Sequence, residues 1–169
     1  MRDVLNQMKA ANGAGLYYVA LFSALAIPDI CGALESQDGT ANGQRYRAWF
    51  DRWVSPKYSF FGGTSLTGDV CYYYRCAALH QGRASHPKMQ YSRIIFVEPD
   101  NHGIIMHNNV MNDALNIDVA RFCEDVISGC EDWLAFVASD PTVQKNMASS
   151  MQRYPQGLAP YIMGIPVIA

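Results

Sequence analysis

Residues 16–27, LYYVALFSALAI, carry no charge, and their only polar groups are two tyrosine hydroxyls and one serine. The run fills more than three helical turns and is apolar almost all round. It therefore predicts a helix in the middle of a helical packing rather than on its surface. A membrane span wants about 18 or more such residues, and Pro28-Asp29 ends the run early. Pro28 either kinks the helix or opens the next one with Asp29 in its first turn. Both options leave Asp29 near a bend in the core.

Other helices must surround such a run, and the periodicities predict them. Leu115, Val119, Phe122, Val126, Cys130, Trp133 and Val137 recur at steps of four and three, one apolar seam behind a cap at Asn112 or Asp113. Residues 41–54 predict another helix, whose stripe of Tyr46, Trp49, Phe50 and Trp53 reads as core before it reads as a platform for stacked bases. Residues 64–82 predict a third, capped by Thr64, Ser65 or Thr67, with Asp69 in its first turn and Gly82 as its stop. Shorter helices are expected at residues 2–12 and from Asp140-Pro141 to about residue 151.

The β-branched run YSRIIFVE at residues 91–98 and the run GIIMH at 103–107 flank a turn-like PDN and predict a β-hairpin. The fold class expected is mainly α, a helical bundle with one inserted β-hairpin at about residues 91–107. With 169 residues, one domain covering 1–169 is the expectation. The tail 152–169, with three prolines and two glycines, is expected to be extended, and its apolar end suggests a partner subunit.

A net charge of −2 argues against nonspecific coating of nucleic acid. The charge is unevenly placed, however. Between Val70 and Val97 no acid occurs, while Arg75, Arg83, Lys88 and Arg93 lie there with His80 and His86; between Asp113 and Asp140 the acids face Arg121 alone. Five cysteines without CxxC pairs fit buried thiols in a reducing cytoplasm, and the N-terminus lacks the apolar core of a signal peptide.

Arg75 and His80 mark the candidate site. Arginine grips phosphate oxygens and histidine moves protons, so the two suffice for metal-free RNA cleavage by the 2′-hydroxyl. Five positions on an ideal helix, however, turn them about 140° apart. They are expected to converge only if the helix end loosens or a second copy completes the site. The blander reading is that Arg75 pairs with an acid of the bundle, Asp29 foremost, and that His80 packs or caps. A thiolate at Cys76 with His80 as its base is weaker than an inert cysteine, and a metal site from Cys71, Cys76, His80 and His86 has irregular spacing.

The segment YYYRCAALHQG resembles the Arg-x4-His signature of HEPN domains, helical bundles found in bacterial toxins and phage-defence proteins. The resemblance implies a metal-independent endoribonuclease without cofactor, acting as a homodimer whose two motifs meet in one cleft. Arg75 and His80 would be catalytic, Asp29 an orienting acid, and Arg83, Lys88 and Arg93 guides for the RNA backbone. An antitoxin or other protein partner would fit such a role. Cys76 stands where the family commonly has a polar residue, often asparagine. The alternative is a non-catalytic helical dimer that binds a protein or nucleotide through the same cleft.

Overall fold

The apolar run is helical and continues past its proline. In the computed structural model, which describes residues 1–60, 63–99 and 106–169, helix α2 spans Tyr17–Leu34 with Pro28 inside it. A proline there forfeits one backbone hydrogen bond and crowds the carbonyl four residues back, at about 3 kcal/mol. Each fully buried Leu or Ile on this helix returns about 1.5–3 kcal/mol, and Leu25, Ile27 and Leu34 are all buried. The other helices are α1 (Arg2–Gly13), α3 (Gly43–Trp53), α4 (Gly68–Gln81), α5 (Val119–Phe136) and α6 (Pro141–Ala148). Every one of them packs on α2. The class is mainly α.

Two expectations for α2 need correction. At 18 residues and a mean hydropathy of 1.6 it is long and apolar enough to cross a membrane, although half of it is buried against the rest of the protein. Nor is it enclosed all round. Ala20, Leu21, Ala24, Leu25 and Cys31 face inward, whereas Tyr18, Val19, Phe22 and Ile30 are exposed.

The core is aromatic. Tyr46, Trp49 and Phe50 of α3 are buried, as the core reading of that stripe requires, while Trp53 is half-buried. Trp133 of α5 meets Trp49 edge to face at 6.4 Å, and its indole Nε1 donates a 2.6 Å hydrogen bond to Glu35 Oε1. Glycine lets the helices close on one another. A Cβ at Gly129 would stand 2.7 Å from the Trp53 carbonyl oxygen.

The β-structure differs from the expectation. Strand β3 (Arg93–Val97) forms within residues 91–98, but its partner is β5 (Ala114–Asp118), and the two run parallel. The hairpin joins β4 (Asn109–Met111) to β5, giving the order β3-β5-β4. Residues 103–105 of the expected second strand lie outside the described residues, and 106 and 107 are not strand. Asn112 and Asp113, expected to cap a helix, make the hairpin turn with φ of 50° and 60°. Asn and Asp serve either role, because their short polar side chains tolerate the left-handed region as well as capping. Leu115 is therefore a strand residue, and the helix begins after Asp118, which accepts from the Arg121 backbone N–H at 3.0 Å. A two-residue ladder of β1 (Ser59–Phe60) with β2 (Gly63–Thr64) likewise delays α4 until Thr67 caps it.

The tail is extended chain doubled back on itself. β6 (Arg153–Tyr154) pairs with β9 (Val167–Ile168), and β7 (Gly157–Leu158) pairs with β8 (Ile162–Met163) inside it. No residue after Val143 is buried.

The close approach at Gly129 predicts that Gly129→Ala destabilises the fold by about 1–3 kcal/mol. Gly13→Ala, which would meet nothing within 4 Å, is expected to be neutral or slightly stabilising. Denaturant unfolding of the two variants checks the contrast.

Candidate functional site

The site is built on the last two turns of α4 and the proline-containing turn of α2. Thr67 caps α4 by accepting from the Val70 N–H at 3.3 Å, and Asp51 Oδ1 accepts from the Gly68 N–H at 2.6 Å. The helix stays regular to Gln81, where Gly82 takes a left-handed conformation at φ 62° and ψ 30°. Arg83 N–H donates back to the Ala77 carbonyl at 3.0 Å and closes the last turn.

Arg75 and His80 meet in a single chain without any loosening of that helix. Arg75 Nη1 lies 3.0 Å from His80 Nε2, and its Nη2 is ion-paired to Asp29 Oδ2. The five-residue offset is bridged by the length of the two side chains. An arginine N–H only donates, so Nε2 accepts, and this geometry selects the neutral imidazole with its proton on Nδ1. His80 is exposed, whereas the Arg75 and Asp29 side chains are 19% and 15% exposed.

Electrostatics explain the pairing. Burial raises the Asp29 carboxyl above its usual range, while the charge and the hydrogen bond of Arg75 pull it part of the way back. Burial also works against the charge on Arg75, but the Asp29 carboxylate and the Cys76 thiol more than offset it, so the guanidinium holds its proton more tightly than usual. The ionised pair is the stable arrangement, since a neutral Asp29 would leave a half-buried cation unmatched. Among the described residues Arg75 Nε–H is buried without a hydrogen-bond partner.

Sequence reasoning passed over the aromatic surroundings. Arg47 of α3 lies 3.9 Å over the Tyr72 ring and 5.2 Å from the Tyr73 centroid, and it is tied to Asp69 at 2.5 Å. His86 returns from the following loop to stack on Tyr73, with centroids 4.9 Å apart and planes 14° from parallel. Burial, together with the neighbouring Cys76 thiol, raises the Tyr72 phenol above its usual range. The run of three tyrosines at 72–74 was the available signal.

Cys76 is half-buried, and its Sγ lies 3.8 Å from Arg75 Nη1. Cys71 is buried on another face of α4, 3.3 Å from the Tyr46 hydroxyl. The thiols and imidazoles weighed as a metal set therefore do not converge.

Two of the three guiding cations, Arg83 and Arg93, line different grooves. Arg83 lines a groove of about 440 Å³ beside His86 and Asp113, whereas Arg93 lines a pocket of about 280 Å³ with Tyr17, Tyr18, Tyr74 and Glu98. All three, Arg83, Lys88 and Arg93, are exposed. Asp29 stands at the edge of a third groove, of about 440 Å³, that runs past Ile30 and Ala33 to Asn146.

The part-buried ion pair predicts that Asp29→Ala or Arg75→Ala alone destabilises the protein by about 1–3 kcal/mol, less than a fully buried pair would cost. The double variant is expected to lose less than the sum of the two, by at least about 0.5 kcal/mol. A double-mutant cycle by denaturant unfolding measures this coupling. Comparison with protein-family models, curated proteins and solved structures finds no match to the chain.

Proposed function

We propose that the protein is a metal-independent endoribonuclease of HEPN type, acting as a homodimer and serving as a toxin or phage-defence effector. The observation that carries this reading is the chain of contacts from Asp29 through Arg75 to an exposed His80. Asp29 orients the guanidinium, and Arg75 holds the scissile phosphate and stabilises its growing charge. When Arg75 turns to the phosphate it releases the Nε2 lone pair of His80 that now accepts from it, and that atom takes the proton of the 2′-hydroxyl. The 2′ oxygen then bonds to phosphorus, and the bond from phosphorus to the 5′ oxygen breaks. The leaving oxygen gains a proton from solvent or from a second copy's imidazole. The products are a 2′,3′-cyclic phosphate and a 5′-hydroxyl.

Arg83, Lys88 and Arg93 take no part in an ion pair among the described residues. Arg83 and Lys88 remain available to an RNA backbone approaching over the loop after α4, and Arg93 to one that continues past strand β3. The unpaired Nε–H of Arg75 supports the same reading, because a guanidinium that turns toward a phosphate satisfies that donor.

One observation favours a second reading. The charge of Arg75 is already met by Asp29, as it would be in a purely structural pair. A non-catalytic helical dimer that binds a protein or nucleotide on this face would need nothing more.

RNA cleavage by the purified protein in EDTA separates the two. The ribonuclease reading expects fragments with cyclic phosphate ends, and a fall of about 10²-fold or more for His80→Ala. Arg75→Ala is expected to cost about 10²–10³-fold. A wild-type protein inactive on every RNA tried, or a His80→Ala variant as active as wild type, overturns it.

A further inference from the structure

Among the described residues two apolar surfaces stand uncovered, and they lie on different parts of the chain. The first is the outward stripe of α2, formed by Leu16 just before the helix and by Tyr18, Val19, Phe22 and Ile30. The second is the C-terminal hairpin, where Met151, Tyr161, Ile162, Met163, Ile165 and Ile168 are exposed. Tyr18 is 77% and Tyr161 80% exposed. Isolated exposed apolar residues are ordinary, but two contiguous patches mark interaction surfaces.

Position connects the two surfaces. The hairpin is closed at its base by paired hydrogen bonds between Gln152 and Ala169, at 2.7 and 3.0 Å. That base sits against the first turns of α1, beside Met1 and Val4. Ser149 and Ser150, just before it, share a groove with Ile30 and Ala33. The hairpin therefore leaves the body beside one end of the α2 stripe and does not cover it. From Leu16 to Ile30 the stripe runs about 21 Å at helical rise. The six residues of one arm of the hairpin, 153–158, reach up to about 20 Å when extended, close to the length of the stripe.

We infer that the C-terminal hairpin of one copy lies along the α2 stripe of a second copy, and reciprocally. A two-fold axis near Ile30 makes the exchange symmetric, so one contact type covers both surfaces on both chains. The size fits. A fully buried apolar side chain removes roughly 60–120 Å² from water, and these eleven side chains are between 37 and 80% exposed. They supply about 400–800 Å² per copy and about 800–1,600 Å² in total, overlapping the range of about 1,200–2,000 Å² typical of stable interfaces. The inference gives a surface to the dimer of the preceding reading and needs none of its chemistry.

The test is the solution mass of the full chain. Light scattering of the wild type is expected to give twice the 18.8 kDa of the chain. Tyr18→Glu with Phe22→Glu, and separately Tyr161→Glu with Ile165→Glu, are each expected to give monomers. All four positions are exposed, and unchanged circular dichroism confirms that the variants fold. A benzophenone side chain in place of Tyr18 is expected, in a mixture of isotopically heavy and light protein, to join residues 151–168 of the other copy on illumination. A monomeric wild type, a dimer that survives either pair of substitutions, or a cross-link confined to one chain overturns the inference. A monomeric wild type would also remove the homodimer from the preceding reading, whereas the other two outcomes leave that reading untouched, and cleavage by His80 is read separately in the EDTA assay.

Discussion

The burial of one face of α2 is the constraint on which the rest of the architecture depends. Its inward residues are small or branched and fully enclosed, from Ala20 and Ala24 to Leu25 and Cys31, and every other helix rests on them. Because this packing outweighs the local cost of Pro28, the helix does not end where its proline suggests. The same continuity carries Asp29 on an ordered turn toward α4. A helix that stopped at Ile27 would leave that carboxylate on a loop, with no fixed relation to Arg75.

The candidate site shows how side-chain reach modifies helical geometry. On an ideal helix Arg75 and His80 point about 140° apart, a relation set by their α-carbons. The guanidinium stands several bonds from its own α-carbon, and that reach recovers what the rotation denies. Asp29 selects that rotamer from outside the helix. A lysine would carry the same charge, but as a point donor it could not hold a carboxylate with one nitrogen and an imidazole with another. The pairing cuts both ways. It holds the arginine in one place, and it also satisfies the charge that an anionic ligand would otherwise meet.

Much of the fold was legible in the chain. The seam from Val119 to Val137 and the stripe of Tyr46, Trp49 and Phe50 are core because apolar residues at helical spacing have no other way to leave water together. The pairing of Arg75 with Asp29 was foreseen as one of two readings. The sheet was misread where local signals are shared between structures. Asn112-Asp113 is as good a hairpin turn as a helix cap, and the next five residues, ALNID, are few enough to be either a strand or a first helical turn. A parallel pairing of residues 93–97 with 114–118 carries no short-range mark at all, since the connection between them is long.

The sequence by itself determined the list of parts: a central apolar helix, amphipathic helices to enclose it, a polar Arg-x4-His segment closed by glycine, and an apolar tail. Each rests on periodicity or on the conformational preference of single residues, which act over a turn or two of chain. Only the tertiary structure decided that Pro28 lies inside a helix, that Arg75 reaches both Asp29 and His80, and that among the described residues nothing covers one face of α2 or the C-terminal hairpin. Those outcomes depend on which distant surfaces exclude water from one another, and burial is a property of the whole packing that no local stretch encodes.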